Sequence, residues 1–202
     1  MHELGQSVTL AAAARNFPGE SVSGDCWRLD CHAGRHRLSL VDGAGHGKAA
    51  AHAASVTADL LALHPQWSGT EALEQCHRAL RATRGAVLSI AEFEPDFQSL
   101  ILSGIGNVEC YLWDEGRERH LVTQRGMLGA AFPKTIRPFE TQLSQAWTLV
   151  LHSDGVRARF SLRDPALQAV AEQGAEELAS TLLRDYARAD DDATVVVVQR
   201  RA

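Results

Sequence analysis

The chain has 202 residues, 45% of them hydrophobic and 22% charged, a balance that supports a packed core and argues against disorder. Twenty Lys and Arg stand against 25 Asp and Glu, a formal net charge of −5. With no basic block, bulk electrostatics give nucleic acid or an anionic membrane surface no foothold. No apolar run is long enough to span a bilayer, and no signal peptide is visible at the N-terminus. Cys26, Cys31, Cys76 and Cys110 show no Cys-x-x-Cys spacing and read as reduced thiols of a cytoplasmic protein. Nine histidines raise the question of zinc. No His-x-x-x-His pair sits beside a matching Glu in zinc-protease order, so surface and core roles are the plainer reading.

Without a linker, low-complexity tract or internal repeat, residues 1–202 read as one domain. The sequence predicts a first strand over Val8 to Ala14, then turn-rich chain through Pro18-Gly19-Glu20 and Ser23-Gly24. A second strand spans Arg37 to Val41 and runs into the glycine-rich turn Asp42 to Gly47. From Lys48 the period changes: Ala49, Ala53, Val56, Leu60 and Leu63 predict one helix face, closed by Pro65. A second helix starts at Ser68, with Glu71 at capping-box spacing, and buries Leu73, Cys76, Leu80 and Thr83. Short strands follow over Ala86 to Phe93, Ser99 to Ser103, Val108 to Trp113 and Arg119 to Thr123. Trp147 to His152 is another strand. Asp164-Pro165 then caps a helix reaching about Gly174, and Ala175, Leu178, Ala179, Leu182, Leu183 and Tyr186 line the next. The chain closes on the buried-type strand Thr194 to Val198. This order suggests stacked sheets covered by helices rather than a regular βαβ repeat.

Four carboxylates share a local setting. Asp25 follows Ser23-Gly24, Asp42 precedes Gly43-Ala44-Gly45-His46-Gly47, Asp154 precedes Gly155, and Asp191 precedes the last strand. Each Asp-Gly pair alone is an ordinary turn signal. If the four converged, their mutual repulsion would require hard divalent cations, and an all-oxygen donor set favours Mg²⁺ or Mn²⁺ over zinc.

The segments Phe17 to Asp25 (FPGESVSGD), Val41 to Gly47 (VDGAGHG), Gly104-Ile105-Gly106-Asn107, Arg125 to Gly129 (RGMLG), His152 to Val156 (HSDGV) and Asp191-Asp192-Ala193-Thr194 resemble, in order, the motifs of the SpoIIE-like phosphatases. These belong to the metal-dependent protein phosphatase 2C superfamily. The resemblance spans nearly the whole chain and implies an α+β fold, a four-layer αββα sandwich of two antiparallel sheets flanked by helices. It implies two Mn²⁺ or Mg²⁺ ions, with Asp42 bridging them and the Gly43 carbonyl added to one. Asp25 and Asp154 would complete one side and Asp191 the other, with Asp192 behind them.

The implied reaction is hydrolysis of phosphoserine or phosphothreonine by a metal-activated water. The implied partner is a phosphorylated regulatory protein, of the stressosome or anti-sigma-factor antagonist type, with neither nucleic acid nor membrane involved. Some family features do not transfer. Ala44 stands where eukaryotic relatives carry a His, so the general acid is unassigned and His46 reads as a helix-entry residue. Arg15 lies too far upstream to map onto their phosphate-holding Arg, and Glu20 reads as a solvated turn carboxylate. Two rival readings remain: a GHKL-type kinase, suggested by the glycine-rich turn after Asp42 (DGAGHG) but lacking the upstream helical Asn, and a phosphatase fold that only binds.

Overall fold

The computed structural model describes residues 2–5 and 7–201. Two antiparallel sheets stack face to face with a helical layer outside each, the arrangement the family resemblance implies. The six-stranded sheet takes β1 (His2–Gly5), β2 (Val8–Arg15), β7 (Glu109–Asp114), β8 (Arg117–His120), β10 (Trp147–His152) and β11 (Ala193–Arg200), in the order β1-β2-β11-β10-β7-β8. The five-stranded sheet takes β3 (Asp25–His32), β4 (Arg35–Gly43), β5 (Ala86–Phe93), β6 (Ser99–Ile105) and β9 (Phe139–Gln142), in the order β3-β4-β5-β6-β9. Helices α1 (Gly47–Leu63) and α2 (Gly69–Ala79) cover the second sheet, and α3 (Pro165–Ala171) and α4 (Ala175–Tyr186) cover the first.

The two-residue period of the strands divides three cores. In β5, Val87, Ala91 and Phe93 face the other sheet, while Ala86, Leu88 and Ile90 face the helices. In β11, Val196 and Val198 enter the inter-sheet core while Val195 and Val197 meet the α3–α4 layer. Burial on both faces explains why β11 reads as an uninterrupted apolar run. The helix caps form as predicted: Ser68 Oγ accepts the Glu71 N–H at 3.3 Å, and the Asp164 carboxylate accepts that of Ala166 at 2.9 Å.

Three strands escape the sequence reading. β1 is only four residues long. β3 and β9 each pair on one side alone, and polar side chains break their patterns. In β3, Trp27 and Leu29 pack toward the core, whereas Arg28 and Asp30 between them form an ion pair at 2.6 Å.

The predicted face of α1 is also displaced. Ala50, Ala53, Ala54, Thr57 and Leu61 are buried, whereas Leu63 is 73% exposed. The cause is close approach to β4: a Cβ on Gly43 would lie 2.2 Å from the Ala50 carbonyl oxygen. Only small residues fit such a contact, so the larger apolar side chains fall to the flanks. The same contact seats α1 against the residue that follows Asp42.

Candidate functional site

Register gathers the carboxylates. Asp25 and Asp42 are direct partners at one end of the β3–β4 pair. In the other sheet β10 ends at His152, opposite Val195 near the start of β11. The turns beyond them carry Asp154, Asp191 and Asp192 to the same end of the sandwich. Asp42, Asp154 and Asp191 line a cleft of about 280 Å³ there, with Asn107, Met127 and Gly45. Asp25 does not line the cleft but is tied to its rim, because its carboxylate accepts a 2.6 Å hydrogen bond from Ser153 Oγ.

The Ser153 hydroxyl also accepts the Thr194 N–H at 3.0 Å, so it joins the two strand ends to Asp25. Asn107 Nδ2 donates to Asp154 at 2.8 Å. Asp192 is buried, and its two oxygens accept the N–H groups of Phe17 at 2.8 Å and Gly24 at 3.0 Å. That carboxylate pins the opening loop beside the site instead of lining it.

Burial raises the Asp42 carboxyl to about 9, helped by repulsion from Asp25, Asp154 and Asp191 and by a hydrogen bond shared with Asp154. Burial likewise lifts Asp25 to about 6 against the opposing Ser153 and Thr194 hydrogen bonds, and Asp191 is raised by burial and by Asp154. Asp25 Oδ1 is buried with no hydrogen-bond partner. A hard divalent cation suits these features: oxygen donors only, one orphaned lone pair, and carboxyls that ionise reluctantly in each other's field. Among the described residues, no three His, Cys, Asp or Glu side chains are already disposed to hold a metal ion. The donors are gathered but not closed on one point.

A second cleft, about 300 Å³, opens at the other end of the first sheet beside Trp147, Thr148 and Gln199. Its size does not make it the reactive site. Gln199 is spent on Thr148 and the Ala171 carbonyl, and no carboxylates converge there.

The family model for stage II sporulation protein E (SpoIIE) matches residues 32–201. The chain belongs to the SpoIIE family. Asp42, Asp154 and Asp191 lie inside the matched segment, and Asp25 precedes it. The phosphoserine phosphatase RsbX of Bacillus subtilis (strain 168) is 22% identical over 185 residues, 91% of this chain and 90% of its own. A structure of RsbX in complex with magnesium superposes with a TM-score of 0.82 at 20% identity, over 98% of this chain and 97% of that one. A chain solved in work on the bacterial stressosome, described as a modular system adapted to control secondary messenger signaling, is 26% identical. Its TM-score is 0.86 over 95% of this chain and 98% of its own. The Mycobacterium tuberculosis serine/threonine phosphatase PstP shares the fold at a TM-score of 0.73 and 18% identity, over 96% of this chain and 99% of that one.

Membership in the SpoIIE family removes the kinase reading, since the glycine-rich segment Asp42 to Gly47 (DGAGHG) here leads from β4 into α1 of a phosphatase fold. Within this SpoIIE-family site, His46 is the N-cap residue of α1. It makes no side-chain cap, stacks on Phe17 with ring centroids 4.0 Å apart, and has Nδ1 3.3 Å from the Glu20 carboxylate. Glu20 therefore sits at the helix entry. Arg15 ends β2 and donates to the Arg188 carbonyl. Sequence reasoning gave no role to Ser153 or Asn107. Each stands within one of the family-like segments, Ser153 in HSDGV and Asn107 in GIGN, but nothing in the sequence says which hydroxyl or amide reaches which carboxylate.

Proposed function

We propose that this chain is a divalent-metal-dependent phosphatase that removes phosphate from phosphoserine or phosphothreonine of a regulatory protein. The observation that carries the reading is the convergence of Asp25, Asp42, Asp154 and Asp191 from two sheets, with the Asp42 carboxyl lifted to about 9. Asp25, Asp42, Asp154 and Asp191, with the Gly43 carbonyl, would hold two Mn²⁺ or Mg²⁺ ions. Such ions, when bound, supply a water of lowered pKa and neutralise charge on the phosphoryl oxygens.

The chain's own groups orient the donors. Ser153 fixes one oxygen of Asp25 and leaves Oδ1 free, Asn107 holds Asp154, and Asp192 anchors the loop before Asp25. No cysteine lines the cleft, so a thiolate nucleophile has no place in the reaction. Cys76 and Cys110 are buried, and burial pushes both thiols up. The relative RsbX is named a phosphoserine phosphatase, which supports a phosphoserine substrate. The likeness to a chain solved in work on the bacterial stressosome supports a partner of the stressosome type, and a cytoplasmic anti-sigma-factor antagonist belongs to the same reading.

The test is phosphate release from p-nitrophenyl phosphate and from a phosphoserine peptide, with Mn²⁺, with Mg²⁺ and with chelator. Turnover with either metal that stops on chelation is the expected result. Turnover that ignores the chelator would overturn the carboxylate assignment. No turnover with any metal would leave a fold that only binds.

A further inference from the structure

We propose that Arg84 is the side chain that grips the substrate's phosphate monoester at the mouth of the Asp42 cleft, a proposal that rests on the phosphatase reading above. The residues lining the cleft are carboxylates, an amide and small or apolar groups, with no cation among them. A phosphate dianion presents several acceptor oxygens, and a guanidinium fork meets two of them at once.

Arg84 is exposed and sits where that fork is needed. Its Nη1 lies 2.9 Å from the point a Cβ on Gly45 would occupy, and Gly45 lines the cleft. Gly45 has φ +87°, so the bare backbone there both makes the turn and leaves room for the guanidinium. The backbone carrying Arg84 is held on both sides. Thr83 N–H and Oγ1 both donate to the Leu80 carbonyl, at 2.9 and 2.8 Å, and Gly85 N–H donates to Thr83 Oγ1 at 3.0 Å. The Gly85 carbonyl then accepts the Ala44 N–H at 3.0 Å, docking this turn onto the residue two positions beyond Asp42.

Despite this fixed setting, the guanidinium has no hydrogen-bond or ion-pair partner among the described residues. Arg15, by contrast, is committed to the Arg188 carbonyl. A cation delivered to the cleft rim by an ordered turn and left unpaired is suited to an anion that arrives with the substrate. It also supplies, from a different element, the phosphate contact that Arg15, already engaged by the Arg188 carbonyl, does not offer.

The experiment compares wild type, Arg84→Ala, Arg84→Lys and Arg81→Ala in Mn²⁺, measuring kcat/KM for the phosphoserine peptide and inhibition by inorganic phosphate. Charge-assisted hydrogen bonds of ordinary strength correspond to a loss of about 10–100-fold in kcat/KM for Arg84→Ala. The inhibition constant of phosphate should rise by a similar factor, with the half-saturating Mn²⁺ concentration and Tm unchanged. Arg84→Lys keeps the charge without the fork and should recover part of the loss. Arg81→Ala, an exposed neighbour, should behave as wild type.

An active wild type whose Arg84→Ala variant holds its phosphate inhibition within about twofold overturns this proposal alone. An Arg81→Ala loss as large as that of Arg84→Ala overturns it too, by showing a bulk charge effect. A wild type without metal-dependent turnover would remove the phosphatase reading, and Arg84's role with it.

Discussion

Asp42→Asn should lose at least about 10³-fold in metal-dependent phosphatase activity, since it removes the central carboxylate and the several kcal/mol of charge stabilisation that bound ions contribute. The same substitution should make the metal-free protein more stable. Asp42 sits in a field of three other carboxylates, and its carboxyl is raised to about 9 from an ordinary value of 3.8. Between those two values the folded chain binds a proton that the unfolded chain has released, so metal-free stability falls as pH rises through that window. Asp25, raised to about 6, adds a loss in the same direction over its lower part.

An amide at position 42 carries no such proton and feels no such repulsion. Thermal unfolding in chelator should therefore show Asp42→Asn melting above wild type at pH 8, with the gap closing toward pH 4. A mutant that melts below wild type at pH 8 would contradict the electrostatic account, even if activity were lost. Stability given up at a reactive site in exchange for function is a general pattern, and this site offers a clean instance to measure.

Gly155→Ala is expected to have the largest effect on folding. A Cβ there would lie 1.8 Å from the Asp192 carbonyl oxygen, 2.8 Å from its carbon and 3.1 Å from the Ala193 Cα. All three are main-chain atoms, so no side chain can swing aside. The segment is also tied down elsewhere: Val156 N–H donates to the Ser153 carbonyl at 3.1 Å, and the Gly155 carbonyl accepts the Arg188 N–H at 2.7 Å. Relief of the clash has to separate the turn carrying Asp154 from the strand entry carrying Asp191 and Asp192. A cost of about 3 kcal/mol or more is the upper range for a single substitution and corresponds to a fall in Tm of roughly 6–12 °C for a chain of this size. Differential scanning calorimetry of the mutant reads this directly, and an unchanged Tm would mean that the two turns are not packed as described.

These two sites show what the sequence reveals and what it hides. The apolar runs of Ala86–Phe93 and β11 announce buried strands, and Ser68 and Asp164 announce helix starts, because these signals are local. β3 and β9 are harder to see. They lie at sheet edges, where one side pairs and polar residues such as Arg28 and Asp30 intrude. The face of α1 is misread because a close helix–sheet contact at Gly43 favours alanine, and alanine weighs little in a hydrophobic pattern.

At the site, the order of the short motifs around Asp25, Asp42, Asp154 and Asp191 is what singles out these four carboxylates in the sequence. Ser153 on Asp25, Asn107 on Asp154 and Arg84 over Gly45 are contacts between segments distant in sequence. Only the pairing of strands and the docking of turns creates them. Ser153 lies 128 positions from the carboxylate it holds, a separation at which local pattern carries no information.

The most direct test is calorimetric titration of Mn²⁺ into metal-free wild type and Asp42→Asn at pH 7.5, in two buffers of different ionisation enthalpy. Saturable binding to the wild type is expected, with release of about one proton, because a cation must displace the one that Asp42 retains. The mutant should bind weakly or not at all and release no proton. Binding of equal strength in both proteins, or none to the wild type, would contradict the claim that this carboxylate cluster is a divalent-metal site.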